Sequence, residues 1–160
     1  MLFLTGEYFH AIDAKSRLTV PAKFRETIDP AEHGSGFYAV PGFDGVLFLY
    51  TPKTFREMSP QLDGDLLAVP EVRNFRRLRY GLTEYVEVDR LGRVLIPERT
   101  LKRCGIERDV AIVGVQDHIE VWARGKWEAF VTEHLSQHDA LAQQAMKAER
   151  RKPADPAGVD

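Results

Sequence analysis

Two aspartate–arginine pairs are the strongest candidates for functional side chains in this sequence. Asp13 stands four positions before Arg17, and Asp89 stands four positions before Arg93. An arginine held beside a carboxylate presents a planar guanidinium, which can contact a phosphate or a guanine edge through two parallel N–H donors. For the aspartates a structural role is favoured, because their side chains accept backbone amides in tight turns. The arginines are candidate nucleic-acid contacts.

Both pairs belong to a stretch that the chain contains twice, at an offset of 76 residues. Residues 12–21 and 88–97 each read as an apolar residue, Asp, three residues, Arg, an apolar run and Pro. Each copy predicts a strand, a turn and a second strand, and the proline suits the first turn of a helix. A repeat of this length sets the organisation of the fold. It also offers two arginines, related by a pseudo-twofold, to successive parts of a duplex.

The elements after each copy predict a similar order in the two halves. In the first half we expect strands at 37–40 and 46–50, then a helix capped by Thr51 with Phe55 and Met58 facing inward. In the second half we expect strands at 109–114 and 119–122, then a helix that begins near Trp127 and continues through Leu141. Between the halves, 70–80 predicts a helix ended by Gly81, and its arginines are interpreted as a solvated surface.

Composition indicates a globular protein with an uneven charge distribution. The chain has 160 residues, of which 44% are hydrophobic and 29% charged, and a formal net charge of −2. Between positions 71 and 108 ten Lys or Arg stand against six acids, so a partner could meet a basic face there. The single cysteine, Cys104, favours a reducing compartment. We expect neither a signal peptide nor a membrane span.

Enzymatic alternatives receive little support. Asp13 and Asp89 lack the small residues that follow the aspartates of a proton-sharing dyad, and each has a cation nearby. His134 and His138 are four apart, but no acidic partner stands at metallohydrolase spacing, so solvated histidines are favoured. There is no phosphate-binding glycine loop and no nucleophile elbow. We therefore expect no enzyme activity, cofactor, metal or small-molecule substrate.

At the repeated stretch the sequence resembles the MraZ proteins. The resemblance is carried by Gly6–Tyr8, 13–25, 89–97 and Ile119–Trp122, and it extends from residue 1 to about residue 135. MraZ proteins are transcriptional regulators of the bacterial division and cell-wall gene cluster, and tandem members of the AbrB-like DNA-binding superfamily. The resemblance implies a β-rich α+β fold, in which two tandem AbrB-like βαβ repeats form a pseudo-twofold swapped-hairpin β-barrel with flanking helices.

The resemblance also implies boundaries and a site. We expect repeat 1 at 7–54, connecting helices at 55–82, repeat 2 at 83–126 and a C-terminal helix at 127–148. Beyond the resemblance, the Pro, Ala and Asp content of residues 149–160 predicts a disordered tail. The DNA-binding residues would be Arg17 and Arg93, helped by Lys15 and Arg90, while Asp13 and Asp89 complete the motif. Ser16 stands where the family usually has glycine. If that position needs a positive φ, the first turn is strained and contributes less to binding.

Together these observations predict a cytoplasmic, nucleoid-associated DNA-binding transcriptional regulator. The resemblance implies the partners: double-stranded promoter DNA with short direct repeats, including the promoter of its own gene, and other copies of the chain in a ring of about eight subunits. Because one chain places few cations on DNA, affinity should depend on several subunits engaging adjacent repeats. Two alternatives stay open: an oligomeric scaffold or protein-interaction module, and an AbrB-like antitoxin.

Overall fold

The chain forms a mixed α+β structure, described by a computed structural model for residues 1–151. By contacts it divides into a larger unit, 1–124, and a helical unit that begins at Gly125. The strands are β1 Leu4–Ala11, β2 Arg17–Thr19, β3 Gly36–Pro41, β4 Leu47–Tyr50, β5 Glu84–Glu87, β6 Arg93–Leu95, β7 Asp109–Gln116 and β8 His118–Ala123. The helices are α1 Ala22–Thr27, α2 Pro30–His33, α3 Pro52–Met58, α4 Gly64–Leu67, α5 Pro70–Gly81, α6 Glu98–Arg103, α7 Arg124–Leu135 and α8 His138–Arg150.

The main sheet is antiparallel, and each repeat gives its first strand to the other repeat. The strand order is β1-β7-β8-β4-β3-β5. Exchanging the strands of repeat 1 for their counterparts in repeat 2 reverses this order, so a pseudo-twofold axis passes between β8 and β4. Strand β1 pairs with β7 from Leu4–Gln116 to Ala11–Asp109, and β5 pairs with β3. Each outer strand of the sheet therefore pairs with a strand of the other repeat.

The second strands of the two repeats pair with each other in a separate antiparallel ribbon. Strand β2 pairs with β6 so that Leu18 lies opposite Val94, and both side chains are fully buried. Two hydrogen bonds extend the ribbon symmetrically, from Val20 N to Gly92 O at 2.9 Å and from Ile96 N to Ser16 O at 3.0 Å. Leu18 and Val94, together with Val20 and Ile96 just after the strands, belong to one core cluster shared by the repeats. This ribbon places the two Asp–Arg stretches side by side.

The α+β class and the tandem repeat predicted from the sequence are confirmed, but a closed barrel is not found. Within residues 1–151, β1 and β5 end the six-stranded sheet and do not pair with one another, while β2 and β6 form their own two-stranded sheet. Closing the sheet would require hydrogen bonds between its two outer strands. The architecture is thus an open sheet with an added ribbon.

Several local predictions are confirmed, and two need correction. Thr51 caps α3, because its Oγ1 accepts the amide of Thr54 at 3.2 Å and Pro52 occupies the first turn. Phe55 is buried as expected, whereas Met58 at the end of the same helix is exposed. Within the C-terminal unit, the helix expected to run through Leu141 is broken after Leu135, and α8 begins at His138.

The predicted tail at 149–160 falls almost entirely outside the described residues. Glu149 and Arg150 belong to the last turn of α8, and Arg151 follows it. None of the helices in the described part of the chain has the length and apolar character that crossing a bilayer requires.

Candidate nucleic-acid interface

The first repeated motif folds into a tight turn around the carboxylate of Asp13. Its Oδ1 accepts the amides of Lys15 and Arg17, both at 2.9 Å, and its Oδ2 accepts the Arg17 Nε–H at 2.7 Å. The backbone closes the same turn, since the Ser16 amide donates to the Asp13 carbonyl at 3.0 Å and the Asp13 amide donates to the Arg17 carbonyl at 3.1 Å. One aspartate therefore fixes both the turn and the arginine that follows it.

The second motif repeats this geometry at Asp89. Its Oδ1 accepts the amides of Leu91 and Arg93 at 2.9 Å, and its Oδ2 accepts the Arg93 Nε–H at 2.9 Å. The backbone bonds recur as Gly92 N to Asp89 O at 3.0 Å and Asp89 N to Arg93 O at 2.8 Å. Both aspartates thus make the backbone and side-chain contacts that a structural role in the turn would use.

These hydrogen bonds hold the pKa of both carboxyl groups below the usual range of aspartate. The largest cause at Asp13 is the backbone N–H of Arg17, followed among the lowering effects by the Arg17 side chain and the Lys15 amide. At Asp89 the backbone N–H of Arg93 acts first in the same way. Each aspartate is therefore ionised at neutral pH, as a partner of the arginine guanidinium must be.

The turns require a left-handed backbone at their fourth residue. The φ angle is +61° at Ser16 and +76° at Gly92. Glycine adopts this conformation without steric cost, whereas a residue with a Cβ does not. Ser16 therefore has the positive φ angle for which strain in the first turn was predicted.

Arg17 and Arg93 lie on the same face of the β2–β6 ribbon. Because Leu18 and Val94 point into the core, their neighbours Arg17, Thr19, Arg93 and Leu95 occupy the opposite face. Arg17 is paired with Leu95 and Arg93 with Thr19, so the two arginines are diagonal neighbours, with backbones about 7–8 Å apart. The structure thus brings together two residues that are far apart in the sequence.

The guanidinium groups of both arginines are oriented but keep donors available. About a quarter of each side chain is exposed, 29% for Arg17 and 26% for Arg93. The aspartate engages Nε in both cases, and within residues 1–151 no hydrogen bond involves their Nη atoms. A guanidinium fixed through Nε can still present its Nη donors to a phosphate or base edge.

The two other predicted site residues extend from the turns. Lys15 and Arg90 are both exposed. They do not occupy equivalent positions, because Lys15 is the third residue of its turn and Arg90 the second residue of its own. The two turns lie at opposite ends of the β2–β6 ribbon, because Ser16 of the first turn is bonded to Ile96 and Gly92 of the second turn to Val20. The four predicted cations are therefore divided into two pairs, one at each end of the ribbon.

Arg25 is a further cation at this site that the sequence did not single out. It lies on α1 of repeat 1, yet its guanidinium covers Gly92 of repeat 2, and a Cβ built on that glycine would lie 2.5 Å from Arg25 Cζ. Its Nε also donates to the Val20 carbonyl at 3.0 Å. One difference between the two copies could have drawn attention to Arg25: the equivalent position in the second copy is Leu101, which has no charge.

The arginines of α5 are largely engaged within the protein. Arg73 donates to the carbonyls of Leu67 at 3.0 Å and Ala68 at 2.7 Å. Arg79 lies over the rings of Tyr50 and Phe55, and Arg76 lies over Tyr80. These contacts support the interpretation of α5 as a connecting helix. The basic excess in this part of the sequence is accordingly a poorer candidate interface than the turns.

The histidines weighed as metal ligands have local partners. His134 Nδ1 lies 2.9 Å from the Phe130 carbonyl, and its ring stacks on Phe130. His138 Nδ1 lies 3.5 Å from Asp139. Within residues 1–151, no three His, Cys, Asp or Glu side chains form a cluster that could hold a metal ion.

Comparison with known proteins gives a family over almost the whole chain. The model of the family described as "MraZ protein, putative antitoxin-like" matches residues 3–77 and 80–150. A protein named transcriptional regulator MraZ from Lactiplantibacillus plantarum is 38% identical over 138 residues, which cover 86% of this chain and 94% of that protein. The protein of the same name from Finegoldia magna is 37% identical over 137 residues, covering 86% and 92%. The one from Symbiobacterium thermophilum is 38% identical over 128 residues, covering 80% and 89%.

Proposed function

The chain belongs to the MraZ family, and we propose that it is a sequence-specific DNA-binding transcriptional regulator rather than an enzyme. The observation that carries the proposal is the shared ribbon face, where Arg17 and Arg93 are each oriented by an aspartate. Relatives that bear the name transcriptional regulator support the same role.

In this proposal, different residues of the turns contact the DNA phosphates and the bases. Lys15 and Arg90 extend from exposed turn positions and contact phosphates, which gives affinity without sequence information. Arg17 and Arg93 have restricted orientations and reach the base edges, where a guanidinium can donate to guanine with two N–H groups. Asp13 and Asp89 position these arginines and do not contact DNA, since both carboxylates accept donors from their own turn.

The biological setting is also proposed. The DNA would be promoter repeats of the bacterial division and cell-wall gene cluster, including the promoter of this protein's own gene. A ring of about eight chains would engage several repeats together, which multiplies a weak single contact by effective concentration. The protein would act in the cytoplasm, associated with the nucleoid.

The proposed tandem organisation is supported by strand exchange. Repeat 1 would occupy 7–54 and repeat 2 83–126, joined by helices within 55–82 and followed by a helical segment. The pairing of β1 with β7 and of β5 with β3 is what a swapped-hairpin ancestor, made of two separate chains, would leave after fusion. The swapped-hairpin relationship is thus proposed for the pairing, with an open sheet in place of a barrel.

Fluorescence anisotropy tests the function directly. Duplex DNA from upstream of the gene is titrated with wild type, Arg17→Ala and Arg93→Ala over a salt series. Arg56→Ala is the matched control, because Arg56 is an exposed arginine on α3. We expect a steep salt dependence for wild type and control, and weaker binding for both turn variants at unchanged oligomeric mass.

Equal binding by all four proteins, or binding by none, would refute this function. The scaffold alternative would then gain, because in it the Asp–Arg pairs serve only the turns. The antitoxin alternative agrees with the antitoxin-like description of the family. It predicts a stable complex with a toxin, so native mass spectrometry after co-expression with neighbouring genes separates it from a promoter-binding regulator.

A further inference from the structure

The two arginine-bearing turns have the same hydrogen bonds but different surroundings. On the first turn, the fourth residue is Ser16 in a left-handed conformation, φ +61°. On the second, Gly92 occupies that position and the guanidinium of Arg25 lies against it. The residue equivalent to Arg25 on the other side is Leu101, which is buried and brings no charge.

The charged side chains around the two turns also differ. The depression beside the first turn is lined by two acids and two bases outside the turn itself, Glu98, Glu107, Lys102 and Arg108. The depression beside the second turn is lined by Arg25, Ile28, Pro30, Gly34, Ser35, Gly36, Phe37 and Val88, among which Arg25 carries the charge. Outside the turn residues, the charges that line the first depression balance, whereas the lining of the second carries the positive charge of Arg25.

Arg25 is also firmly placed for a surface arginine. Its Nε donates to the Val20 carbonyl at 3.0 Å, and the amide of that same residue donates to the Gly92 carbonyl at 2.9 Å. Val20 thus ties the Arg25 guanidinium to the backbone of the second turn. Only glycine leaves room for this contact, because a Cβ at position 92 would lie within 2.7 Å of three guanidinium atoms.

We propose that the two turns are unequal DNA contacts, with the second turn dominant through Arg25, and that this inequality fixes the direction in which each chain lies on a DNA repeat. The proposal rests on the proposed DNA-binding function and deepens it. A structure with equivalent turns would bind a direct repeat equally well in two opposite orientations. An unequal pair selects one orientation, so neighbouring chains face the same way along the promoter.

The first test compares the turns by affinity and by salt dependence. The DNA is the same upstream duplex, and the variants are Arg17→Ala, Arg93→Ala and Arg25→Gln, with Lys23→Gln as a control on the same helix. Gln at position 25 keeps an N–H donor of similar reach but removes the charge. We expect Arg93→Ala to lose at least about threefold more affinity than Arg17→Ala, and Arg25→Gln to lower the salt slope by about 1 for each chain engaged.

A double-mutant cycle shows at which turn Arg25 acts. We expect Arg25→Gln to weaken binding when combined with Arg17→Ala, and to have a much smaller further effect when combined with Arg93→Ala. Arg25→Lys, which keeps the charge, is expected to retain the wild-type salt slope. Equal effects in the two backgrounds, or an Arg25→Gln protein indistinguishable from Lys23→Gln, would overturn the proposal.

The second test reads the orientation itself. Ala14→Cys and Leu91→Cys place a thiol on the first and second turn, and each is labelled with an iron chelate that cleaves nearby DNA. Wild type serves as the labelling control, because its single cysteine, Cys104, is buried. We expect each label to cut every repeat on one side, with the two labels on opposite sides.

Cleavage on both sides by both labels would refute a fixed direction. The outcomes also separate this proposal from the function on which it rests. If wild type shows no salt-dependent binding, the proposed function fails. If wild type binds and Arg17→Ala and Arg93→Ala lose affinity equally, the function stands and the inequality of the turns is refuted.

Discussion

The left-handed residue of each turn allows a reciprocal test of the structure through stability. We consider Gly92→Ser, which makes the second turn resemble the first, and Ser16→Gly, which does the reverse. Both positions have φ between +61° and +76°. The two substitutions exchange the same chemical groups in equivalent turns, so the difference between their effects reports what surrounds each turn.

The magnitudes follow from three terms. A residue with a Cβ costs about 1–2 kcal/mol in a left-handed conformation. Replacing glycine also reduces the conformational entropy of the unfolded chain, which stabilises the folded state by about 0.4–1 kcal/mol. Ser16→Gly should therefore raise the free energy of unfolding by roughly 0.5–1 kcal/mol. Gly92→Ser should lower it by a similar amount, and by about 0.5–1.5 kcal/mol more because displacing Arg25 breaks its hydrogen bond to Val20.

Urea unfolding followed by circular dichroism measures both changes. The midpoints are compared at one protein concentration, because association of chains would shift the apparent stability. Unchanged m-values allow the midpoints to be converted to free energies. We expect a total loss of about 1–2.5 kcal/mol for Gly92→Ser, which moves the midpoint down, and an upward shift for Ser16→Gly.

The double variant Arg25→Gln with Gly92→Ser isolates the contribution of Arg25. If Arg25 is the source of the extra cost, Gly92→Ser should cost less in the Arg25→Gln background than in the wild type. A Ser16→Gly protein less stable than wild type would refute the reasoning about strain at the first turn. Equal and opposite effects of the two single variants would refute the role of Arg25 at the second.

Three further predictions concern the larger unit. Thr51→Ala removes the cap of α3 and should lower the free energy of unfolding by about 1 kcal/mol in urea, whereas the exposed Thr27→Ala should cost less. The pKa of Asp13 and of Asp89 is lowered in the folded state, first by the amides of Arg17 and Arg93, so their stabilisation is present above the usual aspartate value of 3.8 and is lost as pH falls through the folded-state value. The stability advantage of wild type over Asp13→Asn and Asp89→Asn should accordingly shrink between pH 5 and pH 3, and a constant difference would contradict this. Burial lowers the pKa of His118, but its hydrogen bonds to Glu120 and Asp117 outweigh burial and the pKa is raised, so the stabilisation is complete below the usual 6.5 and is lost as pH rises through the folded-state value. Urea midpoints of wild type and His118→Gln should therefore converge on the alkaline side, and a gap that widens there would be inconsistent with the contacts.

The sequence predicted the local parts of the site because they depend on neighbouring residues. The spacing from Asp13 to Arg17 was enough to predict an Asx-type turn, since the carboxylate reaches amides two and four residues ahead. Thr51 followed by Pro52 predicted a helix start for the same reason. The question of strain at Ser16 came from the resemblance, because the family usually has glycine at this position and the second copy keeps it as Gly92.

Contacts between the repeats could not be predicted in this way. The alternating patterns of β1 and β2 show that strands form but not which strands they pair with. In the structure β1 pairs with β7 and β2 with β6, both from the second repeat. Arg25 was missed because its partner, Gly92, lies in the other repeat. Met58 was misplaced because helix periodicity does not show where the packed surface ends. The DNA-binding role of the four predicted cations stays a prediction.

The exchange of first strands has a consequence for how the protein is made on the ribosome. Leu4 of β1 finds its partner only at Gln116 of β7, so nearly the whole larger unit must be synthesised before that sheet edge can form. At about 5–20 residues per second, the first strand waits roughly 6–20 s after its own synthesis. During that interval repeat 1 exposes unpaired backbone and the side chains that later fill the shared core. Nascent chains of this protein should therefore depend on chaperones more than their modest length suggests, and a separately expressed first repeat should be insoluble or should pair with another copy of itself.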